Sequence, residues 1–352
     1  MRSTPTSTEH GLLLALIWAS AAAVEPGERS RDEAKAAAPA RAFILGADIS
    51  WVPQQEDEGI RFSDRGVRKD VLAILKERGF NWIRLRIFHD PTAKGGYSEK
   101  GYCGLAQTVR MAKRIKAVGM GFLLDFHCAD TWADPGHQPK PAAWASLSPA
   151  DIAKALHGYT RDTVAELKRQ GSSPDMVQVG NEISHGFLWP EPKKYRLEWD
   201  EICGWLKAGI AGVREADPSV RIMLHLACGG QNAESRWFLD NVAARKVDFD
   251  VIGQSYYPKW HGTLDGLKAN LTDLAARYGR DIVVVEYSVT GTDVRGLNDI
   301  VRGLPNGRGL GTFIWEPTKW EGPALFESDG STKPAIDVYR RMADDYARES
   351  RH

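Results

Sequence analysis

Eight short apolar runs, separated by longer stretches with helical patterning, constrain the fold of this 352-residue chain more than any other feature. Most runs are apolar at successive positions rather than alternate ones, as expected of parallel strands covered by helices. The predicted strands span residues 43–49, 81–88, 121–126, 176–179, 221–226, 251–255, 282–285 and 311–315. Eight β–α repeats predict an α/β fold, a single-domain (β/α)8 TIM barrel over residues 42–347. The rival is an open doubly wound sheet, but no G-x-G-x-x-G motif follows an early strand.

The stretches between the strands carry helix stop signals. Predicted helices span residues 67–78, 105–118, 152–169, 205–216 and 264–278. Four of them end at a glycine that closely follows a basic residue, which is a common C-terminal stop; these are Gly79, Gly119, Gly171 and Gly279.

The first 41 residues are predicted to precede the barrel. Residues 1–24 have the order of an export signal, with Arg2, an apolar run over 11–18 and small residues over 19–23. The alternative is a frayed N-terminal helix. The run is too short for a permanent membrane span, and no later segment is apolar enough for one. Residues 25–41 are charged and rich in alanine, and they are predicted to form a linker. We therefore expect a secreted, periplasmic or extracellular protein with no membrane association beyond export.

The charge balance favours a neutral partner. The 46 Lys and Arg residues equal the 46 Asp and Glu residues, so no net field attracts nucleic acid or an anionic membrane. The 12 tryptophans suit both core packing and the stacking of sugar rings. We expect a monomer. The four cysteines permit two disulfides in three connectivities, or free buried thiols, and their spacing matches no zinc pattern.

Polar and aromatic residues are concentrated where the predicted strands end. Barrel enzymes place their chemistry at the C-terminal ends of their strands. The residues found there are Asp48, Trp51, Arg84, Arg86, His89, Asp125, His127, Asp130, Trp132, Asn181, Glu182, His225, Tyr256, Tyr257, Glu286, Trp315 and Glu316.

Two glutamates stand out in this set. Glu182 ends the fourth predicted strand and Glu286 ends the seventh, so both side chains can converge across the barrel mouth. A buried carboxylate is costly unless it is paired or neutralised, and the alternative reading is two structural salt bridges with barrel arginines. Retaining glycoside hydrolysis needs two carboxyl groups about 5–5.5 Å apart, one as nucleophile and one as proton donor.

The residues around the glutamates resemble the large clan of retaining barrel glycosidases. Gly180-Asn181-Glu182 resembles its acid/base signature, and residues 81–84 (NWIR) resemble its second strand. The resemblance implies that Glu182 is the general acid/base and Glu286 the nucleophile. It also implies that Asn181 binds the substrate 2-hydroxyl and that Arg84 holds Glu286 ionised.

Within this clan the chain is similar to glycoside hydrolase family 53, the endo-β-1,4-galactanases, over roughly residues 43–345. The matching stretches are 46–50 (GADIS), 125–136 (DFHCADTWADPG), 180–190 (GNEISHGFLWP), 252–262 (IGQSYYPKWHG) and 311–317 (GTFIWEP). The resemblance implies retaining endo-hydrolysis of β-1,4-galactan, the side chain of pectic arabinogalactan. Cys128 stands where the family usually has Tyr, and residues 287–291 (YSVTG) depart from its usual loop. These departures leave open another retaining activity, on a β-glucan, a mannan or a short galactoside.

Further binding residues are predicted at the strand ends. His127 is expected to bind substrate hydroxyls or orient a carboxylate, or else to be a core histidine. Asp48 is expected to bind a hydroxyl or to pair with Arg86, and Tyr256 to contact Glu286 or pack at the rim. Trp315 is expected to lie under the cleaved sugar or to close the barrel floor. The remaining predicted sugar platforms, or rim caps, are Trp132, Trp189 and Trp260.

Other classes of function fit less well. A metal-dependent barrel hydrolase needs several histidine ligands, and the first strand, which ends in residues 48–51 (DISW), supplies none. We expect no cofactor and no metal, since phosphate loops and nucleophile elbows are missing from the sequence. A non-catalytic polysaccharide-binding barrel is the other alternative, although binding alone needs no paired carboxyls. Glu316 is expected to face Arg or Lys outside the site.

Overall fold

The structure, a computed structural model, describes residues 42–189, 198–289, 291–319 and 325–349. The predicted export signal (1–24) and linker (25–41) lie outside the described residues. The strands are β1 (Ile44–Asp48), β2 (Ser63–Asp64), β3 (Val67–Arg68), β4 (Trp82–Ile87), β5 (Gly121–Phe126), β6 (Met176–Val179), β7 (Arg221–Leu226), β8 (Val251–Tyr256), β9 (Asp281–Tyr287) and β10 (Gly309–Ile314). The α-helices are α1 (Val52–Asp57), α2 (Val71–Glu77), α3 (Leu105–Ala117), α4 (Pro149–Arg169), α5 (Trp199–Ala216), α6 (Asn232–Ala244), α7 (Pro258–His261), α8 (Leu264–Tyr278), α9 (Val294–Arg302) and α10 (Asp337–Glu349).

Eight parallel strands close into a barrel in the order β1-β10-β9-β8-β7-β6-β5-β4. The predicted (β/α)8 barrel is therefore confirmed. The bounds of β5, β6 and β7 equal the predicted ones, and the others differ by one or two residues at an end. Among the described helices, none is both long and apolar enough to cross a bilayer.

The helix predicted over residues 67–78 begins later than expected. Val67–Arg68 pairs with Ser63–Asp64 as an antiparallel hairpin. The two residues of its turn, Arg65 and Gly66, have φ angles of 49° and 79°, which suit a tight hairpin turn. Helix α2 starts after Asp70, whose side chain accepts a hydrogen bond from the backbone N–H of Leu72. The Asp-Arg-Gly turn explains why the apolar period of α2 does not extend towards the N-terminus.

The predicted glycine stops are confirmed. Gly79, Gly119, Gly171 and Gly279 all have positive φ angles, between 60° and 98°. This is the left-handed conformation in which glycine ends a helix at no steric cost. Each of these glycines turns the chain back towards the next strand.

An apolar plug fills the lower barrel. It consists of inward-facing side chains: Ile44, Leu123, Met176, Met223, Val251, Val283, Val285 and Phe313. Gly46 makes room for one of them, because a Cβ atom there would lie 2.3 Å from Cδ1 of Phe313. Successive inward positions along a strand lie two residues apart, so Asp48 of β1 and Arg84 of β4 lie above the plug. The same strands thus supply both the plug and the charged mouth.

The four cysteines are buried free thiols, which excludes the disulfide alternatives. We expect reductant to leave the melting temperature unchanged. Burial raises the pKa of Cys103 to about 12 and that of Cys228 likewise to about 12, which suppresses the reactive thiolate. A thiol reagent should therefore label almost nothing in the native protein and all four cysteines in denaturant. A drop in melting temperature of several degrees with reductant would instead reveal a disulfide.

Candidate active site

A fully buried arginine is the centre of the barrel mouth. Nη1 of Arg84 lies 2.8 Å from Oε1 of Glu286 and 3.1 Å from Oδ2 of Asp48. Its Nη2 donates to Oδ2 of Asp125 at 2.8 Å and to Oδ1 of Asn181 at 2.9 Å. The predicted contact between Arg84 and Glu286 is therefore present. The planar guanidinium fixes four oxygen atoms from four strands or strand ends at once.

A β-bulge in β9 turns Glu286 into the barrel. On β8, Gln254 and Ser255 are consecutive, but their partners on β9 are Val284 and Glu286. The extra residue, Val285, has no partner in this register, and the pairing with β10 shifts over the same stretch. A bulge of this kind re-aims the side chain that follows it. Glu286 consequently faces inward, only 5% exposed, although the previous residue also faces the plug.

Backbone geometry also directs Glu182. It follows β6 in the left-handed region, with φ 48° and ψ 49°, which is uncommon for a residue other than glycine. Two residues earlier, Gly180 has φ 86°, and a Cβ atom there would lie 2.7 Å from Cγ2 of Ile183. Glu182 remains partly exposed at the mouth. Its Oε1 accepts a hydrogen bond of 2.6 Å from the hydroxyl of Ser255.

The mouth holds more carboxyl groups than cations. Two guanidinium groups, those of Arg84 and Arg86, face five carboxyl groups: Asp48, Asp125, Glu182, Glu286 and Glu316. This excess of negative charge favours protonation of at least one of them.

The electrostatic environments of the two glutamates differ. Desolvation by the surrounding protein and the charge of Glu286 raise the pKa of Glu182. Desolvation raises the pKa of Glu286 as well, but Arg84 opposes this through direct contact. Of the two glutamates, Glu182 therefore keeps a proton more readily, and Glu286 is the one whose rise in pKa a cation in direct contact opposes.

The tyrosine next to Glu286 is Tyr257, so of the two alternatives for Tyr256 the contact with Glu286 is wrong, by one residue. The hydroxyl of Tyr257 donates to Oε2 of Glu286 at 3.1 Å. The hydroxyl of Tyr256 donates to the carbonyl of Gly262 at 2.9 Å. Its ring packs in the larger hydrophobic core, which is separate from the apolar plug. The reason is strand alternation: Ser255 faces the mouth, so Tyr256 faces the helices and Tyr257 faces the mouth again.

Replacing Tyr257 with Phe is expected to lower kcat/KM by about tenfold to a hundredfold, as a hydrogen bond to a charged group contributes about 1.5–3 kcal/mol. Losing a donor to the Glu286 anion raises the pKa of Glu286. Because the nucleophile must be ionised, the acid limb of the pH profile should move to higher pH. Tyr256→Phe is the matched control and should leave that limb in place. If only Tyr256→Phe moved the acid limb, Tyr256 rather than Tyr257 would be the tyrosine that contacts Glu286.

Three tryptophans surround the second buried arginine. The guanidinium carbon of Arg86 lies 4.5 Å from the ring centroid of Trp132, 4.8 Å from that of Trp51 and 5.4 Å from that of Trp315. Nη1 of Arg86 also pairs with Glu316. Glu316 is fully buried, so the prediction that it lies outside the site was wrong. Burial raises its pKa to about 8, against the effect of Arg86.

These contacts make Trp51, Trp132 and Trp315 one aromatic group, which we call the tryptophan cluster. The centroids of Trp132 and Trp315 are 6.1 Å apart, and those of Trp51 and Trp132 are 5.8 Å apart. The structure thus brings together the predicted platforms Trp132 and Trp315. Trp51 was not predicted as a sugar platform. Its position directly after the first strand, at the end of the barrel that holds the site, is the sequence signal that could have identified it.

The remaining predicted polar residues lie beneath the mouth. Asp48 is fully buried and its Oδ1 accepts from the hydroxyl of Ser50 at 2.6 Å. Of its two alternatives the structure shows pairing, but with Arg84 more closely than with Arg86, which is 3.7 Å away. Buried His127 accepts from the N–H of Ala133 at 3.1 Å through Nδ1, and its Nε2 lies 3.1 Å from Oδ2 of Asp125. This contact fits the orienting of a carboxylate, which stays a prediction.

Two further tryptophans differ in exposure. Trp260 is 63% exposed on the short helix α7, and its ring centroid is 6.0 Å from that of Tyr257. Trp189 is only 9% exposed, and its indole N–H donates to the carbonyl of His185 at 3.2 Å. Trp260 thus extends the mouth outward, whereas Trp189 packs into the rim. Within the described part of the chain, no three His, Cys, Asp or Glu residues are arranged to hold a metal ion.

Comparisons with known proteins agree with this geometry. The sequence profile of Glycosyl hydrolase family 53 matches residues 44–294. The "Uncharacterized protein in bgaB 5'region" of Niallia circulans is 43% identical over 313 residues, covering 78% of this chain and 84% of that protein. The endo-beta-1,4-galactanase of Bacillus subtilis (strain 168) is 33% identical over 308 residues, covering 78% and 70%.

A solved structure extends the match to the fold. The Ignisphaera aggregans GH53 catalytic domain superposes with a TM-score of 0.77 and is 33% identical, covering 86% of this chain and 97% of that domain. The family profile matches most of the barrel, and the alignments with the two relatives cover most of each relative's length. The chain belongs to glycosyl hydrolase family 53.

Proposed function

We propose that this protein hydrolyses β-1,4-galactan, the side chain of pectic arabinogalactan, within the chain and with retention of anomeric configuration. One observation carries the proposal: Arg84 and Tyr257 both contact Glu286, whereas the carboxyl group of Glu182 contacts no cation among the described residues and accepts from the hydroxyl of Ser255. Such a pair suits double displacement. The names of the relatives, endo-beta-1,4-galactanase among them, support galactan as the polymer.

In the first step, a carboxylate oxygen of Glu286 attacks the anomeric carbon. The bond from that carbon to the leaving oxygen breaks as Glu182 transfers its proton to this oxygen. The product is a glycosyl ester on Glu286 and a shortened chain with a new hydroxyl. The tryptophan cluster offers flat apolar faces for the sugar ring.

In the second step, ionised Glu182 takes a proton from water, and the resulting oxygen attacks the anomeric carbon. The ester bond breaks and the electron pair returns to Glu286, where Arg84 and Tyr257 stabilise the anion. We assign Asn181 to the 2-hydroxyl of the sugar. One N–H of its amide donates to the carbonyl of Ala133 at 2.8 Å, and the second N–H can serve the substrate.

Reducing-sugar release from pectic galactan tests the proposal, with β-glucan, mannan and arabinogalactan in parallel. We expect strong release from galactan, and NMR of the first product should show the β-anomer. Release from another polymer alone would contradict galactan as the substrate but would not contradict the roles proposed for Glu182 and Glu286. Binding of galactan without release from any polymer would favour a non-catalytic polysaccharide-binding barrel.

A second candidate is a retaining activity on a β-glucan, a mannan or a short galactoside. The observation that favours it is the departure from the family at residues 287–291, directly after the nucleophile. The other departure, Cys128, does not favour it, because this side chain is fully buried and its Sγ lies 3.7 Å from the carbonyl oxygen of Phe126.

We also propose that the protein is exported and acts as a monomer. The apolar run and small residues of segment 1–24 support export. Sequencing the N-terminus of the mature protein tests export, and cleavage near residue 24 is expected. Sedimentation tests the monomer, for which a mass below the 39.0 kDa of the full chain is expected after cleavage.

A further inference from the structure

A chain of hydrogen bonds leads to the proposed acid/base. Nε2 of Gln178 lies 2.9 Å from Nδ1 of His225. Nε2 of His225 lies 2.8 Å from the hydroxyl oxygen of Ser255. That hydroxyl in turn donates to Oε1 of Glu182 at 2.6 Å. Gln178, His225 and Ser255 are all fully buried, so no solvent competes for these bonds.

The amide of Gln178 has its nitrogen facing His225. This nitrogen also lies 2.6 Å from Oδ1 of Asp125 and 3.1 Å from Oδ1 of Asn181, which are both acceptors. The oxygen of Asn181 is itself identified, because it accepts from Arg84, a group that can only donate. Gln178 therefore presents N–H groups to its neighbours.

A backbone group fixes the tautomer of His225. The N–H of Glu182 donates to Nδ1 of His225 at 3.3 Å, and a backbone N–H cannot reverse its role. Nδ1 also lies 3.1 Å from Oδ1 of Asn181, an oxygen that already accepts from Arg84. Because the N–H of Glu182 and the amide nitrogen of Gln178 both face the lone pair of Nδ1, this nitrogen carries no proton. Burial and the charge of Arg84 hold the pKa of His225 well below its usual value, so the ring keeps a single proton. That proton is on Nε2 and points at Ser255.

This polarity leaves the hydroxyl of Ser255 one direction in which to donate. It accepts from His225 and must give its own hydrogen to Oε1 of Glu182. We propose that Ser255 and His225 are positioning residues that keep Oε1 of Glu182 a permanent acceptor, so that Oε2 alone carries the proton delivered to the leaving oxygen. The inference deepens the proposed function and rests on it, since it assigns the catalytic proton to one atom of the acid/base.

The chain of hydrogen bonds from Gln178 through His225 and Ser255, which we call the relay, has a second effect on Glu182. A donor to a carboxylate favours its ionised form, so Ser255 stabilises the base that activates water in the second step. The other charged or titratable groups that act on Glu182 are Glu286, Arg84, Asp134, Tyr257, Cys228 and His225. Ser255→Ala keeps all of these groups; among them, His225 loses the hydroxyl that its Nε2–H faces.

Carbon-13 NMR titration of the Glu182 carboxyl tests the relay, with Glu182→Gln to assign the signal. In Ser255→Ala the midpoint should rise by about one pH unit, as one donor to the anion is lost. The alkaline limb of galactan hydrolysis should move to higher pH with it. The value of kcat should fall about tenfold, because the carboxyl group loses the hydrogen bond that fixes its orientation and the proton can also occupy Oε1. Ser255→Thr keeps a hydroxyl and should restore the wild-type midpoint.

Ser235→Ala is the matched control, because Ser235 is also fully buried but bonds the carbonyl of Cys228 instead. It should change neither the midpoint nor the pH profile. A midpoint in Ser255→Ala equal to that of the wild type overturns the relay. If the midpoint moves but galactan is not cleaved by the wild type, the relay stands and the galactan proposal fails.

Discussion

Replacing Glu286 with alanine is expected to abolish galactan hydrolysis, with kcat falling by roughly 10⁵-fold, as for other catalytic nucleophiles. Without this carboxylate no glycosyl ester forms, and Glu182 has no partner for the first step. The protein should still fold, because the barrel closes through backbone pairing and the apolar plug lies below the site. Reducing-sugar assays measure the loss, and circular dichroism checks the fold.

Azide separates the nucleophile from the other carboxyl group. In Glu286→Ala, azide can enter the space left by the side chain and attack an aryl galactoside with a good leaving group. The product should be the α-galactosyl azide, which has inverted configuration relative to the β-linked substrate. Glu215→Ala, on α5, removes a carboxylate that is 55% exposed and should retain full activity. Galactan turnover near wild type in Glu286→Ala would remove Glu286 from the mechanism.

Replacing Glu182 with alanine is expected to lower kcat on galactan by about 10²–10⁴-fold, the usual contribution of general acid/base catalysis. A dinitrophenyl galactoside needs no proton for departure, so the first step should survive and the glycosyl ester should accumulate as a burst. Azide should then yield the β-galactosyl azide, opposite to the product from Glu286→Ala. Equal losses on both substrates would contradict an acid role.

The pH profile provides a second test of Glu182. The raised pKa means that the protonated acid persists above the pH at which a free glutamic acid ionises. Activity requires this proton, so it should be lost as pH rises through the pKa of Glu182 in the enzyme. Glu182→Ala removes the titrating group, and its residual activity on the aryl substrate should show no alkaline limb. A persistent limb would assign that titration to another residue.

The barrel was predictable from sequence because its strands are covered on both faces. Continuous apolar runs such as residues 282–285 differ from the amphipathic helices around them. The positions of Glu182 and Glu286 were predictable for the same reason, since each ends such a run. Helices α1, α6, α7, α9 and α10 were not among the predicted ones. Helix α10, for instance, buries only Tyr339, Met342 and Tyr346 along a strongly charged stretch.

Details of the site depended on tertiary geometry. Four successive valine and isoleucine residues conceal the bulge in β9, since every face of the run is apolar. The error at Tyr256 arose because either of two adjacent tyrosines can end a strand, and the direction of Ser255 decides between them. Glu316 looked like a surface carboxylate, because its partner Arg86 is 230 residues away in the sequence. Pairings over such distances leave no local pattern.

The bulge in β9 has a consequence for how this enzyme can diverge. A bulge is present or absent, with no intermediate register, so the nucleophile cannot drift gradually along its strand. Loops beyond the strand ends, including the one after Glu286, face no such restriction and can accept substitutions one at a time. Substitutions in the loops can thus change which polymer binds while the position of the nucleophile is kept. New specificities can therefore arise without an inactive ancestor.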